Sequence, residues 1–306
     1  MVRLLALLAA LSTLAGVVPG AAAADDSRHI LVLGRISDDP KTHYEQLKPL
    51  LDYVVPRMAD VGIREGRVLM ARDAQQMASY LRRGHVDWVT ETAGTAMLLQ
   101  QRASAQPLLL TERDGVSRYR GVLFVRRDSG LGSLEDLRGR SVAFQNNAST
   151  SAYFLPTIEL LRRKLSPSLL LSPMDKPSDQ TVGYVFARSE LNVGVWVHKR
   201  LVDAGTMSDI DWNNPQRVPP SFRKDLEVIH TSEPVPRALE MVRGDLEPRV
   251  LARLREVLLD AAADPEAREA LQYFFRTTRF MPIDDPTQQV LRRLSIGVAQ
   301  VRADVE

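Results

Sequence analysis

The stretch Ser141-Val142-Ala143-Phe144-Gln145-Asn146-Asn147-Ala148-Ser149-Thr150-Ser151-Ala152-Tyr153 decides how this chain folds. Its first four residues form a short apolar run of the kind buried in a sheet. A polar loop follows and hands over to a helix expected from about Ser151 to Lys164. A strand that passes through a loop straight into a helix is half of a β-α-β unit. The loop then lies at the carboxyl edge of a parallel sheet, the edge where α/β folds hold their ligands. The first turn of a helix has unpaired backbone N–H groups and a partial positive charge, so it suits an oxyanion. Ser149, Thr150 and Ser151 add hydroxyl donors without adding charge. Taken locally, the same residues are also explained by one hydroxyl capping the helix and the others meeting solvent.

Working outward, Ser133-Leu134-Glu135-Asp136-Leu137 is a short helix, with Ser133 as N-cap and Asp136 closing the capping box; Gly139 ends it. Toward the N-terminus, His29–Gly34 reads as a first strand. Past the polar loop Ser37–Pro40, Tyr44, Leu47, Leu51, Val54 and Met58 recur at helical spacing until Gly62. Arg67–Ala71 and Val86–Thr90 are strands around a helix at Ala74–Arg83, and Pro107–Thr111 and Tyr119–Arg126 continue the β pattern. Toward the C-terminus, Ser166–Ser178 and Asn213–Ser221 read as loops, Leu226–His230 as a strand, and three helix-like segments finish the chain.

This alternation predicts an α/β fold. The strands are many for one sheet, and Val125–Gly132 and Thr231–Pro236 look like paired crossovers between two lobes. Ser232-Glu233-Pro234-Val235-Pro236, stiffened by proline, suits a hinge. The expected division is a leader at 1–24, a first lobe of 25–125 plus 233–306, and a second lobe of 126–232, with a ligand cleft between the lobes.

Arg3, the apolar run Leu4–Val18 and the small residues Gly20–Ala24 have the pattern of an export signal, with cleavage near Ala24 and a mature start at Asp25. The apolar run is short for a membrane span. Cysteine is absent, which excludes disulfides, thiol chemistry and a lipid-modified N-terminus. A net charge of +2 supplies no overall basic field for nucleic acid or a membrane surface. His29, His43, His85, His198 and His230 lack metal-ligand spacing. No G-x-S-x-G elbow, Walker loop or G-x-G-x-x-G occurs, so neither a catalytic residue nor a cofactor or metal is expected.

The run Ser133–Phe144 followed by Ser149-Thr150-Ser151 and Pro156 resembles the PhnD-like phosphonate/phosphite/phosphate-binding family of periplasmic solute-binding proteins. Gly84-His85-Val86-Asp87-Trp88 is similar to that family's G-x-V-D strand. Tyr119–Val125 and Val228–Pro236 are similar to its two crossovers. The resemblance implies a type II bilobal fold, a small-molecule ligand, and ligand contacts from Ser149, Thr150 and Ser151. It also implies work with an ABC permease, or with a sensor kinase if the protein signals, and a monomer is expected. Where the family carries other residue types, this chain has Glu91 and, by alignment, Asp179. Either these carboxylates face the cleft, where they would repel a dianion, or they point into solvent or pair with Arg118 or Arg120. Tyr44, beside His43 after the first strand, is a further candidate contact, and Trp88 is expected in the core. The runner-up is an exported hydrolase using Ser149 or Ser151.

Overall fold

Two six-stranded sheets carry the chain, as seen in a computed structural model that describes residues 29–306. The export-signal reading of residues 1–24 falls outside the described residues. Among the described residues, no helix is long and apolar enough to cross a membrane.

The chain begins in the first sheet with β1 (Ile30–Ile36), α1 (Pro40–Val54), β2 (Glu65–Ala71), α2 (Ala74–Arg82), β3 (Trp88–Glu91), α3 (Ala93–Ala103) and β4 (Gln106–Arg113). Local chemistry sets these boundaries. The Asp39 carboxylate caps α1 by accepting from the Thr42 amide at 3.2 Å, and Asp73 does the same for α2 through Gln76 at 2.7 Å. After a two-residue strand β5 (Arg118–Tyr119), the chain enters the second sheet as β6 (Gly121–Arg126). There it forms β7 (Ser141–Phe144), α4 (Leu155–Arg162), β8 (Ser166–Leu169), β9 (Thr181–Phe186), α5 (Glu190–His198), β10 (Ala204–Ser208), short α6 (Asp209–Trp212) and α7 (Pro220–Arg223), and β11 (Leu226–Thr231). It returns through β12 (Val235–Pro236) to the first lobe as β13 (Ala238–Val242), α8 (Pro248–Asp260), α9 (Arg268–Tyr273), β14 (Thr277–Met281) and α10 (Asp285–Asp304).

The first sheet has the order β14-β4-β13-β3-β1-β2 and the second β11-β6-β10-β7-β9-β8, while β5 and β12 pair as a separate ribbon. β1 runs parallel to β2 and β3, and β13 is antiparallel to both β3 and β4. Thus β1, β3 and β4 end at one edge, and β13 starts there. In the second sheet, β7, β9 and β10 end together at the edge where β6 begins. The ribbon pairs Tyr119 with Val235 and Arg118 with Pro236, so both passages between lobes run side by side.

Three expectations change. The first crossing occupies residues 114–120, not Val125–Gly132, because β6 pairs with β10 and β11 inside the second sheet. Its apolar run Gly121–Val125 is buried throughout and belongs to a central strand. Second, Ser166–Leu169 is an edge strand, not a loop. Pro167 is tolerated because an edge strand leaves one side of its backbone unpaired. Third, Thr277–Met281 adds a strand that the helix-like reading of the tail passed over.

Apolar packing holds the lobes together as well as each lobe within itself. One cluster covers the outer face of the first lobe around Leu47, Leu51, Trp88 and Leu254, and another packs Phe124, Val193 and Trp212 in the second. A third runs from Met77 and Leu99 of the first lobe through Tyr119 and Val235 of the ribbon to Phe144 and Tyr153 of the second. Leu291, Leu294 and Val298 of α10 join that third cluster.

Candidate ligand-binding site

The Ser149–Ser151 turn is built by its own side chains. Asn146 folds the loop by accepting from the Ala148 amide at 2.9 Å. Ser149 is the cap, its hydroxyl accepting from the Ala152 amide at 3.1 Å. The helix then opens with one widened turn, Thr150–Phe154, in which the Phe154 amide donates to the Ser149 carbonyl. Thr206 of β10 supports it by donating to the Ala152 carbonyl at 2.8 Å.

The other two hydroxyls do not meet solvent. Thr150 and Ser151 are 1% and 6% exposed, and what covers them comes from the first lobe and the ribbon. Thr150 Oγ1 accepts from the Gly94 amide at 2.7 Å and donates to Thr92 Oγ1 at 2.9 Å, while Thr95 Oγ1 donates to the Ala148 carbonyl at 2.7 Å. So the start of α3 at the edge of the first sheet meets the start of α4 at the edge of the second. Such an approach requires glycine: a Cβ on Gly94 would sit 2.6 Å from the Phe154 ring, and one on Gly121 would sit 2.6 Å from the Ser151 carbonyl. Tyr119 of the ribbon lies near Thr150 and Ser151, and burial pushes its phenol up to about 12.

A cationic group lies along the matching edge of the first lobe. Arg35, near the end of β1, donates to the Thr90 carbonyl at 3.0 Å and stands 4.0 Å from the Glu91 carboxylate. Arg113, the last residue of β4, donates to Thr90 Oγ1 at 3.1 Å. Both guanidinium groups lie over the Phe275 ring, at 4.6 Å and 4.3 Å from its centroid. Phe275 and Arg276 hold left-handed backbone conformations (φ 54° and 53°), uncommon for bulky residues. His43, early in α1, borders the group with its ring 6.0 Å from that of Phe275, and it shares a 2.6 Å hydrogen bond with the Ser37 hydroxyl. Burial, followed by the field of Arg35, holds its imidazole below the ordinary histidine value.

A family model described as "ABC transporter, phosphonate, periplasmic substrate-binding protein" matches residues 34–287. The chain belongs to this family. Among solved structures, XAC2383 from Xanthomonas citri bound to chloride ion is 55% identical with a TM-score of 0.88, covering 90% of this chain and 100% of that one. The same protein bound to ATP is 54% identical with a TM-score of 0.87, covering 91% and 100%. PhnD1 from Prochlorococcus marinus, in complex with methylphosphonate, shares the fold at 16% identity and a TM-score of 0.64, covering 89% and 99%.

This phosphonate-family binding protein therefore has the type II periplasmic-binding fold, in two lobes, and is not an enzyme. The Ser149 hydroxyl is occupied as a helix cap, its oxygen accepting from the Ala152 amide.

The remaining candidates scatter. Glu91 is buried, but its Oε1 accepts from the Ile36 amide at 3.1 Å and its charge faces Arg35, not Arg118 or Arg120. Those two arginines are engaged elsewhere, with the Thr287 hydroxyl and the Ser232 carbonyl. Asp179 is exposed and packs beside Gly139, just before β7 begins, so it lies at the opposite end of the strands from the turn. Two carboxylates therefore do not converge on the turn. Tyr44 is 46% exposed, and its neighbour His43 makes the contact with the β1 edge. Trp88 is fully buried and donates to Glu240 at 2.6 Å. Arg35, Arg113, Tyr119 and Phe275 went unread as site residues, because only strand order brings them to one edge. The interlobe surfaces touch directly at the turn, and a cavity of about 690 Å³ lies elsewhere, between α3, α8 and α10.

Proposed function

We propose that the protein captures a small oxyanion of the phosphonate, phosphite or phosphate kind between its lobes and presents the closed form to the permease of an ABC transporter. The oxyanion would rest on the Ser149, Thr150 and Ser151 hydroxyls and the N–H groups of that turn. The observation that carries this reading is the buried meeting of the two sheet edges at Thr150, with donors from α3, α4 and Tyr119 within one polar cluster. The placement of Glu91 supports it further: its carboxylate accepts from the Ile36 amide at 3.1 Å and stands 4.0 Å from Arg35, which offsets its charge in part. Relatives described as bound to chloride, ATP and methylphosphonate all hold anions. Capture would work by hinge closure about the β5–β12 ribbon, a population shift without chemistry.

A thermal-shift panel of phosphate, phosphite, methylphosphonate and an alkyl sulfonate against residues 25–306 tests the reading. Binding raises apparent stability by mass action. A phosphorus oxyanion should raise the melting temperature, and Ser151→Ala should abolish the rise; a shift that survives Ser151→Ala and Thr150→Val places the ligand elsewhere. Export, with cleavage near Ala24, predicts Asp25 as the N-terminus of the protein recovered from the periplasm, and size-exclusion with light scattering should give a monomer.

A further inference from the structure

We infer that the first lobe carries a second anion subsite, formed by Arg35 and Arg113 over the Phe275 ring, so that the cleft suits a ligand with two or more phosphoryl groups, such as a phosphoanhydride. This rests on the oxyanion reading of the Ser149–Ser151 turn.

The charge balance at the edge of the first lobe is the starting point. Arg113 is 7% exposed, and among the described residues no carboxylate lies within 4.0 Å of its guanidinium. Its side chain makes one hydrogen bond, to a threonine hydroxyl, and its Nε is buried without a partner. The Nε of Arg35 is likewise buried and unpartnered. Buried donors of this kind are costly unless something accepts from them. Arg237 adds a third positive charge nearby, its Nη1 donating to the Arg113 carbonyl at 2.6 Å.

The acids available offset these charges only in part. Glu91 faces Arg35 at the outer limit of an ion pair and spends Oε1 on the Ile36 amide. Glu240 is enclosed by donors from Trp88, Thr90 and Thr111, and burial raises its affinity for a proton. Burial, then the neighbouring Arg35, pulls the Arg113 guanidinium down to about 9, with Glu240 and Glu91 opposing.

Position makes this a subsite of the same cleft. Arg35 touches Thr90 and Glu91, and the next residue, Thr92, contacts Thr150 of the turn at 2.9 Å. On the other side, Arg237 follows the ribbon strand that pairs with Tyr119, and it donates to the Arg113 carbonyl at 2.6 Å. A single phosphoryl group held by the turn would leave the arginines uncompensated, whereas a linked second one would reach them. Guanidinium groups match phosphate oxygens with paired N–H donors, and a ring beneath them fixes their planes.

Isothermal titration at constant ionic strength, comparing methylphosphonate with methylenediphosphonate and pyrophosphate, tests the subsite. The two-phosphoryl probes should bind at least tenfold more tightly than methylphosphonate. Arg35→Gln combined with Glu91→Gln, which removes both charges and strands neither, should erase that advantage while changing methylphosphonate binding less than threefold. Arg113→Lys, which keeps charge and fold but loses the planar fork, should reduce the advantage in the same selective way. If methylphosphonate binds and the two-phosphoryl probes bind no better, or if the variants weaken all probes alike, the subsite is overturned while the turn reading stands. If no phosphoryl probe binds, both fall together.

Discussion

The backbone N–H of Gly94 in the first lobe donates to the Thr150 hydroxyl of the second at 2.7 Å, and both partners are buried. One hydroxyl thus ties the start of α3 to the start of α4, and it passes its own proton on to Thr92. The same atoms that would hold an oxyanion also register closure of the lobes.

Replacing that hydroxyl separates packing from hydrogen bonding. Thr150→Val keeps the shape but leaves the Gly94 amide without an acceptor, an expected cost of about 1–3 kcal/mol. Thr150→Ser keeps the oxygen and should lose less. Urea unfolding of the two variants checks the order, and equal loss in both would assign the effect to packing.

Gly94→Ala should act as a wedge. The added methyl would meet Phe154 at 2.6 Å and Thr150 Oγ1 at 2.9 Å, closer than carbon atoms approach. The lobes are expected to part, seen as a larger radius of gyration by small-angle scattering, with oxyanion affinity down about tenfold, or ~1.4 kcal/mol.

His43 should make binding depend on pH. Burial and then Arg35 lower its proton affinity, with Arg113 adding to them and Asp38 and Asp39 opposing. Because the folded value lies below the unfolded one, the stability it contributes is present above the ordinary histidine range. That contribution is lost as pH falls through the folded value. An anion bound beside it favours the imidazolium, so affinity should rise as pH drops below about 6.5, the ordinary histidine value. Titrations between pH 5 and 8 should show this rise, and His43→Gln should flatten it.

Gly297 of α10 tests the brace across the back of the lobes. A Cβ there would lie 2.5 Å from Ile158 of α4, so helix α10 of the first-lobe tail packs backbone-close on the second lobe. Gly297→Leu should overpack this contact and cost about 1–3 kcal/mol in thermal unfolding. A neutral outcome would show that α10 can slide on α4.

Much of the local framework is legible in the residues. β7 occupies Ser141–Phe144 as its apolar run predicts, and Ser149 caps the helix that follows. The return crossing runs through the proline-stiffened Ser232–Pro236 stretch. Short-range patterning fails where neighbours from distant sequence decide. Gly121–Val125 is β as its pattern predicts, but it joins the second lobe because β10 and β11 flank it, and Ser166–Leu169 becomes a strand because β9 offers it a partner.

The anion-binding turn shows the same division. Three consecutive hydroxyls between a strand and a helix mark it in the sequence, because a strand-to-helix turn is made by adjacent residues. Which hydroxyl caps, which are buried, and what faces them were decided only by the tertiary structure. Glu91 finds Arg35, Thr150 finds Gly94, and the Nε of Arg113 is left buried without a partner, because sheet order carries distant strand ends to one edge. Asp179, one strand away in sequence, is carried to the opposite edge by the same rule, since β7 and β9 run parallel and it precedes them both in space. Local spacing sets where a strand stops and a helix starts; charge pairing in the cleft follows from which strands lie side by side.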